Sequence, residues 1–98
     1  MLNSYNILIF VKKHISLFKS FDEVYLFGSS LTNTFPNDID ILLVYSVDNK
    51  DIIVKDLDGI VSVLFDHFQI PIDITALSHD ELSDCGFLEK IKTYIRIK

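Results

Sequence analysis

The apolar positions of this chain change period several times, and each change marks an element. Leu8, Val11, Ile15 and Phe18 recur three or four residues apart, the spacing of one helix face, and predict a helix over residues 4–20. Asn3 or Ser4 stands where a side chain can cap its first N–H groups. Val24–Phe27 is a short apolar strand closed by Gly28. Ser29–Thr34 has the composition of one or two helical turns, and Phe35-Pro36-Asn37 breaks the pattern. Asp38–Tyr45 reads as a second strand. Its unbroken run Ile41-Leu42-Leu43-Val44 suits a central position covered on both faces.

Asp48 or Asn49 can cap a long helix through about Phe68, with Ile53, Leu57, Ile60 or Val61, Leu64 and Phe68 on its buried face. Gly59 inside it costs about 1 kcal/mol relative to alanine and predicts close packing or a slight bend. Ile70–Leu77 reads as a third strand, with Pro71 tolerated near its start or on an edge. Ser78-His79-Asp80-Glu81 has the form of a capping box. After Gly86, Phe87, Leu88, Ile91, Tyr94 and Ile95 predict a last amphipathic helix. The order α-β-(α)-β-α-β-α predicts an α/β (α+β) fold, a small mixed sheet backed by helices. At 98 residues, a single domain over 1–98 is expected.

Composition narrows the classes. Hydrophobic residues make up 49% and charged residues 23%, enough apolar material for a core and too little charge for disorder. The net charge is −5 and the sequence pI about 4.9, so generic nucleic-acid binding, which needs a basic face, is not expected. Lys12, Lys13 and Lys19 fall on the predicted first helix, and Lys90, Lys92, Arg96 and Lys98 on the last, where they read as solvated helix charges. Cys85 is the only cysteine, which rules out an intramolecular disulfide and a cysteine zinc site. No signal-peptide pattern or membrane-length apolar run is present, and a cytoplasmic location is expected. A domain this small has a thin stability margin, which makes a partner or a homo-oligomer an expectation.

The candidate chemistry lies between Val24 and Tyr45, and in Asp73. Asp38 and Asp40 are two apart at a strand start, so both carboxylates share a face. Like charges so placed repel unless a cation lies between them. Asp73 stands between Ile72 and Ile74 on the third predicted strand, a poor place for an acid without a task. If the second and third strands are neighbours, three carboxylates converge into a hard-oxygen site suited to Mg²⁺. Two ions about 3.5–4 Å apart could be clamped there for phosphoryl transfer. Gly28 and Ser29, just upstream, offer a backbone turn and a hydroxyl to a phosphate.

The ordered set Phe27-Gly28-Ser29, Asp38-Ile39-Asp40 followed by aliphatic residues, and a later strand aspartate, Asp73, resembles the DNA polymerase beta-like nucleotidyltransferase superfamily. The closest likeness is to its minimal nucleotidyltransferases, and it spans most of the chain. The resemblance implies a nucleotidyltransferase fold that transfers a nucleoside monophosphate from an NTP, ATP first among them, to a hydroxyl. It implies that Asp38 and Asp40 hold the metals and the triphosphate. Asp73 would complete the catalytic metal site and help deprotonate the acceptor. Gly28, Ser29 and Ser30 would form the nucleotide-binding turn. Minimal members often pair with a separately encoded helical protein of the HEPN type, and some act as antitoxins by adding AMP to a partner tyrosine. Many carry an arginine and a glycine after the Gly-Ser pair, whereas Ser30-Leu31-Thr32-Asn33 stand here. That difference motivates an alternative, a catalytically weak or inactive module of the same fold that binds a helical partner.

The remaining polar residues have simpler readings. His14, His67 and His79 lack ligand spacing and read as surface or packing residues. Asp48-Asn49-Lys50-Asp51 reads as helix capping, and Asp56, Asp58 and Asp66 as the wet face of the long helix. Tyr5, Tyr45 and Tyr94 read as packing residues, and Cys85 as a small apolar filler.

Overall fold

A computed structural model describes residues 4–28, 31, 38–46, 48 and 50–98. In chain order the elements are helix α1 (Ser4–Lys13), a 3₁₀ turn (Ile15–Phe18), strands β1 (Glu23–Phe27) and β2 (Ile39–Tyr45), and helix α2 (Lys50–Phe68). Strand β3 (Ile72–Ser78), short helices α3 (His79–Cys85) and α4 (Phe87–Ile91), and strand β4 (Tyr94–Arg96) follow. The sheet order is β3-β2-β1-β4, with β2 and β3 parallel and the other neighbours antiparallel. The fold is the expected mixed sheet with helices on both faces.

Strand alternation divides the sheet cleanly. Val24 and Leu26 of β1 and Ile39, Ile41 and Leu43 of β2 are fully buried on one face, against Ile7, Val11 and Phe18 and against Ile53, Ile60 and Leu64 of α2. On the other face Tyr25, Leu42 and Val44 are covered by Leu82, Phe87 and Leu88 of α3 and α4. Because β2 is buried on both faces, it needs the continuous apolar run seen in its sequence.

Two helices differ from their sequence reading. The first ends at Lys13, and a 3₁₀ turn follows. The buried face is Ile7, Val11 and Phe18, and the tighter winding after Lys13 leaves Ile15 exposed. The predicted last helix stops at Ile91. Lys92 takes a positive φ of 63°, and the chain reverses into β4, which pairs with β1. Tyr94-Ile95-Arg96-Ile97 alternates polar-out and apolar-in: Ile97 packs on the main core while Tyr94 and Arg96 are exposed. That period of two, with β-branched residues, suits a strand edge. The basic residues assigned to a last helix are therefore dispersed. Arg96 is on β4, and Lys98 Nζ donates to the carbonyls of Phe18 and Phe21 at 3.0 and 2.7 Å.

The capping box forms as expected. The Ser78 hydroxyl accepts from Glu81 N–H at 3.1 Å, and Glu81 Oε1 accepts from Ser78 N–H at 2.9 Å. Gly86 ends α3 in the left-handed conformation, φ 61°. The caps expected at Asn3 or Ser4 and at Asn49, and the break at Phe35-Pro36-Asn37, lie outside the described residues and side chains.

Gly59 is not there for close packing, since a Cβ at that position would meet nothing within 4 Å. Gly59→Ala is expected to stabilise the domain by about 1 kcal/mol, the helix-propensity difference, read as a rise in the urea midpoint at unchanged m-value. A second prediction concerns Tyr25. Burial and the hydrogen bond its hydroxyl donates to Glu23 Oε1 at 2.5 Å push its phenol up to about 12. A folded-state pKa raised above 10.0 contributes stability below pH 10, lost as pH rises towards 12. In ultraviolet titration the last tyrosine to ionise should disappear in Tyr25→Phe, whereas Tyr45, whose phenol is also raised by burial, should remain.

Candidate active site

The parallel register of β2 and β3 sets Asp40 directly opposite Asp73. Asp40 shares its face with Leu42 and Val44, and Asp73 with Leu77, so both point to the side covered by α3 and α4. Asp38 precedes β2 by one residue and belongs to the same alternation. One carboxylate oxygen from each of Asp38, Asp40 and Asp73 lies within 4.8 Å of the other two. Asp38 and Asp40 are half-buried and Asp73 is exposed. The cluster opens at the N-terminal ends of the two parallel strands.

Gly28 completes the geometry in a way its sequence does not announce. It follows Phe27, which pairs with Asp40 across β1 and β2. Its φ is +78°, a left-handed conformation that favours glycine. A Cβ there would fall 2.8 Å from Asp40 Cγ and closer still to Oδ2. The glycine therefore leaves the space in which the Asp40 carboxylate sits. Beyond it, Leu31 N–H donates to the Gly28 carbonyl at 3.1 Å, and Ser29 and Ser30 lie outside the described residues.

The cross-sheet row continues through aromatic residues. Phe27 pairs with Asp40 on one side and with Tyr94 on the other. Phe27 meets Phe87 edge-on at a centroid distance of 5.4 Å, and Tyr94 meets Tyr25 in the same way at 5.4 Å. Asp73, Asp40, Phe27 and Tyr94 thus form one line across the face, with Tyr94 at 40% exposure. Assigning Tyr94 to a helix hid this neighbourhood; the alternation from Tyr94 to Ile97 was the signal that could have revealed it.

The chain matches the model of the nucleotidyltransferase domain over residues 9–98. It belongs to the nucleotidyltransferase domain family. A crystal structure of a candidate nucleotidyltransferase superposes with a TM-score of 0.58 at 22% identity, covering 91% of this chain and 98% of that one. A second, from Sulfolobus solfataricus, gives 0.52 at 23% identity, covering 95% and 80%. These likenesses show a shared fold. Among curated proteins none matches the chain significantly. Transfer of a nucleoside monophosphate is the reaction class of the family, and this domain is a transferase. Among the described residues no helix is long and apolar enough to cross a membrane.

Members of the family typically use divalent metals, and the three carboxylates fit such an ion. Each offers an oxygen, the donor type that hard cations take, and the three converge where no hydrophobic packing requires an acid. The three histidines are surface or packing residues, as their spacing implies: His79 Nε2 contacts Asp22 Oδ2 at 2.7 Å, while His14 and His67 each stack on Phe10, at 4.2 and 4.0 Å.

Gly28→Ala tests the seat of Asp40. It is expected to destabilise the domain by about 1–3 kcal/mol through backbone strain and the displaced carboxylate, measured by urea unfolding. Gly28→Ala with Asp40→Ala should recover part of that loss, because the clash partner is gone.

Proposed function

We propose that this domain transfers a nucleoside monophosphate from ATP to a hydroxyl acceptor, with Asp38, Asp40 and Asp73 as its catalytic and metal-holding residues. The observation that carries the reading is the convergence of the three carboxylates within 4.8 Å. A magnesium ion held by these carboxylates would supply positive charge against the triphosphate and the departing pyrophosphate. Asp38 and Asp40 hold and orient that charge from one strand start. Asp73, the exposed member, faces the acceptor side and takes its proton. The acceptor oxygen forms a bond to the α-phosphorus as the bond from that phosphorus to the oxygen bridging the β-phosphorus breaks. Pyrophosphate leaves with the electron pair of the broken bond. The turn after Gly28, with Ser29 and Ser30, contacts the β- and γ-phosphates in this reading. Support for that turn comes from the family resemblance.

The acceptor we propose is a tyrosine of a separately encoded helical partner of the HEPN type, an antitoxin-like pairing supported by resemblance to the minimal nucleotidyltransferases. The test uses ATP labelled in its α-phosphate, Mg²⁺ and the product of the neighbouring gene. Wild type should move label to that protein, and Asp38→Asn/Asp40→Asn should lower transfer at least about 100-fold with an unchanged circular dichroism spectrum. Equal labelling by both proteins would overturn the catalytic reading. A Mn²⁺ titration gives a readout apart from turnover: Asp40→Asn/Asp73→Asn should lose the binding that wild type shows.

A further inference from the structure

Three carboxylates and a triphosphate gather more negative charge than divalent ions alone offset, and Ser30-Leu31-Thr32-Asn33 bring no cation to the segment after Gly28. Most basic residues stand elsewhere. Lys12 and Lys13 end α1, and Lys55 is on α2, in the helix layer on the far side of the sheet from the carboxylates. Lys19 lines a groove with Lys55 on that same side. Lys50 begins α2, beyond the end of β2 that lies away from the carboxylates. Arg96 Nε donates to the Lys98 carbonyl at 3.0 Å, and Lys98 Nζ donates to the Phe18 and Phe21 carbonyls. Lys90 on α4 and Lys92 just after it remain.

Lys92 has an unusual backbone. Its φ is 63° and its ψ −51°, and the Thr93 N–H donates to the Ile91 carbonyl at 2.6 Å. These are the marks of the positive-φ γ-turn, rare and strained for a residue with a Cβ. Gln69, the other non-glycine residue at positive φ among those described, has a local reason: its side chain donates to the Phe65 and Asp66 carbonyls where α2 ends. Lys92 is exposed, and its ammonium makes no hydrogen bond or ion pair among the described residues. The strain lies beside the site. The turn carries the chain from α4, which covers the carboxylate face, to Tyr94 at the start of β4. Tyr94 pairs with Phe27 and Phe27 with Asp40, so two strand spacings, about 10 Å, separate Tyr94 from Asp40. Gly28 follows Phe27, between the two.

We propose that Lys92 is the cation that binds the β- and γ-phosphates of the NTP, in place of a basic residue after Gly28-Ser29. The proposal rests on the nucleotidyl-transfer reading above, which assigns those phosphates to the turn after Gly28. The γ-turn places a compact ammonium on a flexible four-carbon stem at that end of the sheet. Its bond to phosphate oxygen is charge-assisted and therefore among the stronger polar contacts. Because these phosphates depart as pyrophosphate, the same contact stabilises charge that develops on the leaving group. Lys90 sits within α4 and carries no comparable backbone constraint.

Isothermal titration calorimetry with Mg²⁺ and either ATP or inorganic tripolyphosphate tests the proposal. Lys92→Ala should weaken both ligands about tenfold, and the difference from wild type should shrink as salt rises. Lys92→Arg, which keeps the charge, should bind like wild type. So should Lys55→Ala, the same loss of charge on the far helix layer. Lys92→Gly separates binding from folding: it should lose the same affinity with an undiminished urea midpoint, since glycine takes a positive φ freely. Equal binding by wild type and Lys92→Ala, a loss found in Lys90→Ala instead, or a lowered urea midpoint in Lys92→Gly would overturn the role of Lys92 alone. Wild type that binds neither ligand, or binding indifferent to Asp40→Asn/Asp73→Asn, would overturn the carboxylate site and Lys92 with it.

Discussion

The site depends on one pairing, the parallel register of β2 and β3. It puts Asp40 opposite Asp73, two acids whose mutual repulsion opposes the arrangement. Hydrophobic burial imposes it nonetheless. Ile39, Ile41 and Leu43 must face one helix layer and Leu42 and Val44 the other. A slip of one residue would turn every one of them to the wrong side. The core thus holds the carboxylates in a geometry that their like charges oppose and that a hard cation would relieve.

Gly28 shows the same logic at smaller scale. Sequence reasoning assigns it to a phosphate turn, and the structure adds a second demand: its missing Cβ is the space taken by Asp40. One residue ends β1, turns the chain with a positive φ, and leaves room for an acid on the neighbouring strand. Such overlap explains why a short motif can carry much of a site when each of its residues satisfies more than one constraint.

The opposite end of the sheet is held by a polar network. Asp22 Oδ2 takes contacts from His79 Nε2 at 2.7 Å and from the Ser46 hydroxyl at 2.8 Å, which hold its carboxyl below the usual range. Together with the capping box at Ser78, it anchors the start of α3 where β3 ends. Exposed pairs of this kind add little stability each. Their consequence is positional: they help aim α3 and α4, which place Phe87 on Phe27 beside the carboxylates.

Much of this was legible in the chain itself. Apolar periodicity determined the three longer strands, the long helix and its buried face of Ile53, Ile60 and Leu64, because side-chain period is a local property of the backbone. The Asp38-Ile39-Asp40 spacing placed two acids on one face, and Ser78 with Glu81 announced a helix start. Tertiary structure decided what local pattern leaves open. It placed β3 beside β2, so that Asp73 joins the pair, and it drew Tyr94–Arg96 to the edge of β1, where a period-two segment gains a partner that no isolated helix end offers. It left Val54 and Phe65 uncovered, because which flank of a helix is buried depends on neighbours distant in the chain. Facing is written locally, whereas partners and register come from burial shared across the whole fold.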